Sequence, residues 1–411
     1  MDQKKLVPKR RFEGFTKEWE ERKLGNEVVF YSGLTYSPSD VVKSGGTLVL
    51  RSSNIKEGEI KDADNVYVSS EVVNSDNVQI GDIIVVVRNG SRSLIGKHAQ
   101  IKKKMNNTVI GAFMTGVRYQ QAAFMNALLS TSRFNSEVQK NMGATINQIT
   151  TGAFKEMQFY FPNIDEQKHI GDFFINIDSH ITLQQRKLEK AKALKSAYLT
   201  EMFPAEGERV PKRRFAGFTD DWEQHKLKDV VDLLKDGTHG THKNGKEAFL
   251  LSAKNIKNGQ LIIDELTDRK ISGDDYNLIF QNYTLVDQDL LVTIVGTIGQ
   301  TALYKESDIK LAFQRSVAII RGNKNMNQNF LKSTVDSNYI QKQLKQAASM
   351  SAQAGVYLGD LEKLIIYIPK LLEQIKIGNF FKQLDETIAN HQRKLEKLQA
   401  LKQAYLHEMF V

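Results

Sequence analysis

The hydrophobic and polar residues alternate most regularly in two long stretches, residues 165–203 and 372–411. The first stretch contains no proline and is rich in Lys, Leu, Glu, Gln and Ala, which are good helix formers. In both stretches apolar residues recur at alternating spacings of four and three residues, which predicts two long helices with an apolar seam. The seam residues are Ile170, Phe174, Ile177, Ile181, Leu188, Ala191, Tyr198 and Met202 in the first stretch, and Ile377, Phe381, Leu384, Ile388, Leu395, Leu398, Tyr405 and Met409 in the second.

Each predicted seam is interrupted twice by a polar residue, at equivalent positions: Gln184 and Lys195 in the first stretch, His391 and Lys402 in the second. Polar residues in a seam cost stability but fix the register of a coiled coil. The shared pattern spans four heptads or more and therefore favours a coiled coil. Because a whole domain lies between the two helices, we expect an antiparallel pair with pseudo-twofold symmetry. The alternative is that each helix packs on its own domain as an ordinary amphipathic helix.

The segments that precede each long helix show short apolar runs between turn residues, which predicts a mixed α/β (α+β) fold. In the first half we predict strands over 47–50, 82–87, 108–110, 116–119 and 157–161, and a helix over 121–140. In the second half we predict strands over 248–251, 261–263, 290–294, 316–321 and 364–368, and a helix over 328–346.

The two halves of the chain are copies of one layout. Residues 7–24 and 210–227, called here the basic segments, are identical at 13 of 18 positions, and residues 173–203 and 380–410 at 19 of 31. The middles between these repeated parts differ, and their offset changes from 201 to 207. Two interpretations stay open. Either the middles have drifted since the duplication, or a repeated frame serves one shared partner twice while the middles read two different targets.

Composition narrows the choice of partner. A net charge of +9 and a pI of about 9.2 favour an acidic partner, either nucleic acid or an anionic surface. The absence of cysteine excludes disulfides, Cys-ligated zinc, iron–sulfur clusters and thiol catalysis. The longest apolar run, residues 83–87, is far too short for a membrane span, and the first residues show no signal peptide. We therefore expect a cytoplasmic protein with no membrane partner.

Motifs that carry chemistry are incomplete in this chain. Residues 90–98 resemble a phosphate-binding loop, but one residue too many separates the glycines and His98 replaces the magnesium-binding hydroxyl. The glycines of 295–299 lack the strand–turn–helix context of a dinucleotide or S-adenosylmethionine site. The triplets Glu-x-Lys at 59–61 and Asp-x-Lys at 308–310 lack an acidic partner, and His239 with His242 is a weak metal signal. We expect no catalytic residue, no metal and no cofactor, and recognition rather than turnover.

The repeated parts resemble the specificity subunits of type I restriction–modification systems over nearly the whole chain. The resemblance is carried by "VPKRRFEGF…W" and "VPKRRFAGF…W", by the "P…EQ…IG.FF…D" motifs that begin at Pro162 and Pro369, by the helix "QRKLEKLQALKQAYLHEMF" and by "KDGTHGTH" at 235–242. Together these motifs are highly specific, although each is weak alone.

The resemblance implies a domain order and a set of partners. Residues 1–164 and 206–371 would be target recognition domains, each reading one half of a bipartite site in double-stranded DNA, and 165–205 and 372–411 would be the helices that space them. Two modification subunits would dock on the repeated helical regions, and two restriction subunits can join. S-adenosylmethionine, ATP and Mg²⁺ are expected on those partner subunits. Helices of about 30–40 residues span roughly 45–60 Å, or roughly 13–18 base pairs, which suits an unread spacer.

Candidate DNA contacts are the basic and polar residues of the two middles, because phosphate contacts give affinity and base-edge contacts give specificity. The candidates are Arg51, Arg88, Asn89, Arg92, Lys97, His98, Lys102, Lys103 and Lys104 in the first middle, and Lys235, Thr238, His239, His242, Lys243, Lys254 and Arg315 in the second. For the three consecutive lysines we expect phosphate contacts.

Three other functions stay open at the level of sequence. The first is a coiled-coil scaffold whose α/β domains bind protein, and the second is a DNA-binding module outside restriction–modification. The third is a stand-alone nuclease that uses a Glu-x-Lys triplet, and metal-dependent cleavage by the isolated chain would favour it.

Overall fold

The structure, a computed structural model, describes residues 6–143, 147–349 and 355–411. It falls into two compact units. Unit 1 comprises the residues up to Gln184 together with 394–411, and unit 2 comprises residues 185–393. Each unit therefore contains part of both long helices, which the sequence division treats as separate segments.

Unit 1 contains two four-stranded sheets. Its elements are β1 (Glu20–Lys23), α1 (Leu24–Glu27), β2 (Val29–Ser32), β3 (Val41–Val42), β4 (Thr47–Leu50), β5 (Ile55–Lys56), β6 (Glu59–Ile60), β7 (Val66–Val68), β8 (Ile83–Val86), β9 (His98–Gln100), β10 (Thr108–Ile110), β11 (Met114–Arg118), α2 (Ala122–Leu129), α3 (Ser132–Lys140), α4 (Thr151–Glu156), β12 (Gln158–Phe161) and the long helix α5 (Ile164–Glu201), which continues into unit 2. One sheet has the order β2-β11-β8-β9 and is antiparallel throughout. The other has the order β10-β4-β7-β3, and β10 runs parallel to β4. The pairs β1-β12 and β5-β6 complete the unit.

Unit 2 repeats this plan with its own loops. Its elements are β13 (Glu223–Lys226), β14 (Val231–Asp236), β15 (Asn244–Leu251), β16 (Ile256–Lys257), β17 (Gln260–Leu261), β18 (Lys270–Ile271), α6 (Gly273–Ile279), β19 (Leu290–Thr293), β20 (Thr301–Leu303), β21 (Leu311–Phe313), β22 (Val317–Gly322), α7 (Gln328–Asp336), α8 (Asn338–Ser349), α9 (Leu358–Glu362), β23 (Ile365–Ile368) and α10 (Leu371–Met409), whose last part belongs to unit 1. The sheet orders β14-β22-β19-β20 and β18-β15-β21 correspond to those of unit 1. The mixed α/β fold is thus confirmed in both halves.

The predicted strands lie close to their expected places, but the predicted helices over 121–140 and 328–346 are wrong as single helices. Each is two helices, α2 with α3 and α7 with α8. In unit 1 the Thr131 side chain accepts a hydrogen bond from the Phe134 backbone nitrogen (3.2 Å) and caps α3. In unit 2 the backbone of Ser337 is extended and ends α7. Hydroxyl side chains bond to nearby backbone groups and so compete with helix continuation.

Helices α5 and α10 pack against each other and run antiparallel, which confirms the predicted coiled coil. In unit 1 the ring of Phe173 on α5 lies 4.9 Å from the ring of Tyr405 on α10. In unit 2 the ring of Tyr198 on α5 lies 4.9 Å from the ring of Phe380 on α10. The two contacts are equivalent under the repeat, with the helices exchanged.

Two of the polar seam interruptions form ion pairs between the helices. In unit 1 the Lys402 amino group lies 2.6 Å from an Asp178 carboxylate oxygen. In unit 2 the Lys195 amino group lies 2.7 Å from the equivalent carboxylate, Asp385. Each lysine therefore has an acid on the facing helix, which specifies both the antiparallel direction and the register.

In unit 1 the first basic segment binds both long helices. Arg11 forms two hydrogen bonds, of 2.6 and 2.7 Å, to the carboxylate of Glu166 in the first turn of α5, and Glu166 is fully buried. The neighbouring Arg10 pairs with Glu408 near the end of α10 (2.6 Å), at the surface. The segment thus joins the beginning of one helix to the end of the other.

Unit 2 repeats this arrangement with the helices exchanged. Arg214 binds the buried Glu373 in the first turn of α10 with two hydrogen bonds of 2.6 and 2.7 Å. Arg213 pairs at the surface with Glu201 at the end of α5 (2.5 Å). Each basic segment thus binds both long helices within its unit, which explains why the segment is repeated.

A buried tryptophan follows each of these arginine pairs. Trp19 packs edge-on against Phe410, which directly follows α10, and near Phe124 of α2. In unit 2, Trp222 packs in the same way against Phe203 and Phe330. These aromatic groups join the helices to the main cores. Within the described ranges, no helix has the length and apolar character needed to span a bilayer.

A glycine in each long helix lets the adjacent short helix approach closely. A Cβ on Gly171 would lie 2.9 Å from the backbone nitrogen of Phe124 in the first turn of α2. A Cβ on Gly378 would lie 2.8 Å from the backbone nitrogen of Phe330 in α7. The helix backbones can be this close only because neither glycine has a side chain.

Candidate nucleic-acid interface

In unit 1 the segments that follow four strands meet at one edge. Because β4 and β10 run parallel, their following segments leave the sheet on the same side, and the Gly111 nitrogen donates to the Leu50 carbonyl (2.9 Å). Val86, the last residue of β8, pairs with Met114, the first residue of β11. Leu34, after β2, forms a parallel bridge with Gly111. We call residues 33–34, 51–52, 87–89 and 111–113 the loop edge of unit 1.

The corresponding loop edge of unit 2 consists of residues 237–242, 252–254, 294–295 and 314–316. Thr238, after β14, forms a parallel bridge with Gln314, as Leu34 does with Gly111. One glycine in each unit permits this crossing. A Cβ on Gly33 would overlap the carbonyl oxygen of Gly111, and a Cβ on Gly237 would overlap that of Phe313. The first glycine of the "KDGTHGTH" motif, Gly237, is therefore required by backbone packing.

Three of the predicted DNA contacts are brought together at the loop edge of unit 1: Arg51, Arg88 and Asn89. The Asn89 side-chain nitrogen donates to the Ser52 hydroxyl (3.0 Å), which joins the segments after β8 and β4. Arg51 pairs with Asp64 at 2.7 Å. Arg88 is exposed, and its guanidinium carbon lies 5.0 Å from the centre of the Phe113 ring. Among the described residues, no carboxylate pairs with Arg88.

The remaining candidates between β8 and β9 differ in their surroundings. Arg92 is exposed and donates to Gln139 (3.2 Å), and Lys97 is half-buried. His98 is the first residue of β9, and its ring nitrogens contact the Gly96 carbonyl (3.0 Å) and the Ser130 hydroxyl (3.1 Å). Burial lowers the pKa of His98 below its usual range, so the ring is neutral near pH 7.

Lys102, Lys103 and Lys104 lie apart from the other candidates. Ile83 at the start of β8 pairs with Gln100 at the end of β9, so the three lysines follow at the opposite end of β8 from Arg88. All three are exposed, and Lys102 pairs with Glu59 (2.6 Å), the acid of the Glu-x-Lys triplet. The structure therefore separates the predicted contacts of unit 1 into two groups.

In unit 2 the motif after β14 is tied to the Arg315 loop. The Arg315 backbone nitrogen donates to the Thr238 carbonyl (3.1 Å), while its side chain is exposed. His242 is within hydrogen-bonding distance of the Thr238 hydroxyl (3.0 Å), and His239 pairs with Asp236 (2.6 Å). The two histidines thus have different partners. Outside the undescribed residues, no group of three or more possible metal ligands occurs.

The three other candidates of unit 2, Lys235, Lys243 and Lys254, have different surroundings. Lys235, in β14, places its amino group 5.0 Å from the centre of the Tyr283 ring. Burial raises the pKa of Tyr283 to about 12, so Lys235 faces a neutral aromatic ring. Lys254 is exposed and pairs with Asp268 (2.7 Å), and Lys243 is exposed in the segment between β14 and β15.

Two further aromatic residues, one in the loop edge of unit 1 and one beside the loop edge of unit 2, are not among the predicted contacts. Phe113 and Tyr357 are aromatic residues in loops, and the structure leaves 52% and 57% of their surfaces exposed. The sequence contains no signal for this, because the other aromatic residues of the chain are buried or half-buried. Only the course of the backbone shows which of them reach water.

Comparisons with known proteins agree with this arrangement. The family described as "Type I restriction modification DNA specificity domain" matches residues 16–193 and 219–400. The type I restriction enzyme StySPI specificity subunit of Salmonella potsdam is 22% identical over 386 residues, which are 89% of this chain and 82% of the relative. The EcoKI specificity subunit of Escherichia coli strain K12 is 20% identical with the same coverage.

Two solved structures have a similar fold. The type I restriction–modification system S subunit from M. genitalium aligns with a TM-score of 0.67, at 14% identity and over 99% of both chains. The second is a chain from a structure titled as the basis of complex assembly and conformational transition of the type I R-M system. It aligns with a TM-score of 0.50 and 15% identity, over 94% of this chain and 96% of that chain.

Proposed function

This chain belongs to the type I restriction modification DNA specificity family, as a specificity subunit with two repeated recognition domains, and we propose that each domain reads one half of a bipartite site in double-stranded DNA. In this proposal the loop edges of units 1 and 2 contact the bases, and the repeated frame holds the two readers. The chain performs no catalysis itself.

One observation carries this proposal: the frames of the two units are equivalent, whereas their loop edges are chemically different. The edge of unit 1 presents Arg88 and Phe113, and the edge of unit 2 presents Arg315 with a threonine- and histidine-rich loop. Two copies of one reader would recognise a symmetric site. Two readers with different donors and acceptors recognise two different base sequences, because each base edge requires its own complement.

The frame supports the second part of the proposal, which concerns partners. Each unit repeats the same frame and carries the same arginine–glutamate pair at its surface, so two copies of one partner can bind equivalent surfaces. We propose that these partners are two modification subunits, which carry S-adenosylmethionine and the adenine-N6 methylation chemistry. Restriction subunits, with ATP and Mg²⁺, would join that assembly. The cytoplasm is the compartment in which this assembly meets DNA.

The experiment is to co-express the chain with its modification subunit and to map N6-methyladenine across the host genome by sequencing. We expect methylation at one bipartite, asymmetric sequence, and none when the chain is omitted. A methylation pattern that does not depend on the chain would contradict the proposal and would favour a scaffold that binds protein.

Binding of the complex to duplexes that carry the methylated site tests the readers one at a time. Arg88→Ala should weaken binding or relax specificity in one half-site, and Arg315→Ala in the other. A base contact is worth about 1–3 kcal/mol, whereas a lost phosphate contact weakens all sequences alike and lowers the salt slope by about one. Lys342→Ala, which removes an exposed cation on α8, is the control and should leave both half-sites unchanged. Unchanged affinity and specificity for both arginine variants would contradict the assignment of the loop edges.

A further inference from the structure

Phe113 and Tyr357 are the most exposed aromatic side chains among the described residues, and each unit contains one of them. Exposed aromatic rings leave a large apolar surface in water, which costs free energy unless a partner covers it. The position of each ring therefore indicates where a partner can cover it.

The Phe113 ring is held at the loop edge of unit 1 by its backbone. The Phe113 carbonyl accepts hydrogen bonds from the nitrogens of Val87 (3.0 Å) and Arg88 (3.2 Å), and the Met114 nitrogen donates to the Gly111 carbonyl (2.9 Å). These bonds fix the tip between β10 and β11. The Arg88 guanidinium lies over the ring, so the unit presents an aromatic ring and a cation together.

Tyr357 reaches the loop edge of unit 2 from another segment. The Val356 nitrogen donates to the Ile294 carbonyl (2.8 Å), and Gly355 bridges Val295, the residue of unit 2 equivalent to Arg88. The Tyr357 nitrogen donates to Asp360 (3.1 Å) at the start of α9, which fixes its backbone. Tyr357 is therefore two residues from Gly355, which bridges this edge at Val295.

The two aromatic residues do not occupy equivalent positions. The unit 2 equivalent of Phe113 is Ser316, whose hydroxyl accepts a hydrogen bond from the Ala253 nitrogen (3.1 Å). The unit 1 equivalent of Tyr357 is Thr150, whose hydroxyl accepts one from the Ala153 nitrogen (3.1 Å). An aromatic residue inherited through the duplication would stand at the same position in both units. Each unit has instead acquired its own exposed ring at the same edge.

Resting on the proposed function, we propose that Phe113 and Tyr357 stack on DNA bases, one ring in each half-site, and act as wedges at one base step. Aromatic rings stack on any base face, and apolar wedges open and kink a step. Arg88 beside Phe113 is placed to bind the neighbouring phosphate or base edge while the ring is inserted. The specificity added by the wedge comes from how easily a step opens, so flexible pyrimidine–purine steps are favoured.

The test uses the full chain in complex with its modification subunit and duplexes that carry the methylated site. 2-Aminopurine, which fluoresces more strongly when unstacked, replaces one adenine at a time in each half-site. The methylated adenine is left out of the probe set, because methyltransferases extrude that base themselves. We expect an increase in fluorescence at one step of each half-site with the wild-type complex.

The variants are taken from the other unit of the same chain. Phe113→Ser should abolish the fluorescence increase in one half-site only and weaken binding by about 5- to 150-fold, the range for losing one base–aromatic stack. Tyr357→Thr should do the same in the other half-site. Phe113→Tyr and Tyr357→Phe keep a ring and should retain the signal. Ile80→Ala and Val286→Ala remove exposed apolar side chains that precede β8 and β19, at the opposite ends of these strands, and should change neither half-site.

Two outcomes separate this inference from the proposed function. If the wild-type complex does not bind the site, the proposed function fails. If it binds, and Phe113→Ser and Tyr357→Thr bind with unchanged affinity and unchanged fluorescence, the wedge is refuted while the proposed function stands.

Discussion

The two neighbouring arginines of each basic segment should differ sharply in their effect on stability. Arg11 is 13% exposed and holds the fully buried carboxylate of Glu166 with two hydrogen bonds. Its neighbour Arg10 is 56% exposed, and its partner Glu408 is 37% exposed. Both pairs are equally short, so distance alone would predict equal effects.

The difference in burial predicts unequal losses of stability. Arg11→Ala leaves the carboxylate of Glu166 buried without its partner, and breaking such a pair costs about 3–5 kcal/mol. Arg10→Ala breaks a pair that water already screens, so its effect on unfolding should be small. The double replacement Arg11→Met with Glu166→Met removes both charges together and should recover most of the loss.

The chain provides its own assay, because it has two tryptophans and each lies buried in the same unit as one of these pairs. Urea unfolding is followed by tryptophan fluorescence in a Trp222→Phe background, so that Trp19 reports unit 1 alone. With a urea slope of about 1–3 kcal/mol per M, a loss of about 3 kcal/mol lowers the midpoint by about 1 M or more. Arg214→Ala should shift the Trp222 transition in the same way in a Trp19→Phe background, with Arg213→Ala as its control. Equal midpoints for Arg11→Ala and Arg10→Ala would refute the reasoning from burial.

Three further predictions concern the frame. Gly171→Ala should destabilise unit 1 in urea unfolding, because the new Cβ would contact the backbone of α2, whereas Gly359→Ala in the open surroundings of α9 should gain about 0.5–1 kcal/mol of helix propensity; a gain for both would contradict the close approach. Burial lowers the pKa of His98, so the contribution of its neutral ring to stability is complete above pH 6.5 and is lost as the pH falls below that value. The urea midpoint of the wild-type chain should therefore fall with pH below 6.5, and His98→Gln should make this dependence weaker. Burial alone would raise the pKa of Asp336, but the charges of Lys332 and Lys195, together with hydrogen bonds from Thr301 and Lys332, outweigh it and lower the pKa to about 2. Its stabilisation is therefore present above pH 4 and lost towards pH 2, and Asp336→Asn should remove this part of the acid transition.

Repetition and apolar runs made most of the frame predictable. The long helices, their antiparallel pairing and strands such as β4 and β10 follow from seam spacing and short buried runs, and their bounds match closely. Strand β1 escaped prediction because its residues, Glu20–Lys23, are all polar. It forms because it pairs with the apolar strand β12, and such tertiary pairing overrides local propensity.

The site was less predictable than the frame, because charge alone does not say which way a side chain faces. Lys104 and Arg88 are equally basic in the sequence, but they lie at opposite ends of β8. His98 is of a residue type that often contacts DNA, but its ring is within hydrogen-bonding distance of the Ser130 hydroxyl. Whether these residues touch DNA stays a prediction. The exposure of Phe113 depends on a loop conformation set by hydrogen bonds from Val87 and Arg88, which follow β8 and are distant in sequence.

The reciprocal ion pairs of the long helices have a consequence for the origin of the chain. Lys402 binds Asp178 in one unit, and Lys195 binds Asp385 in the other, so each helix carries both the donor and the acceptor of the same contact. A polypeptide of half this size would be complementary to itself, and two identical copies could satisfy every such contact as a symmetric dimer. Gene fusion would keep that dimer interface while freeing the copies to diverge, which converts recognition of a palindrome into recognition of an asymmetric sequence.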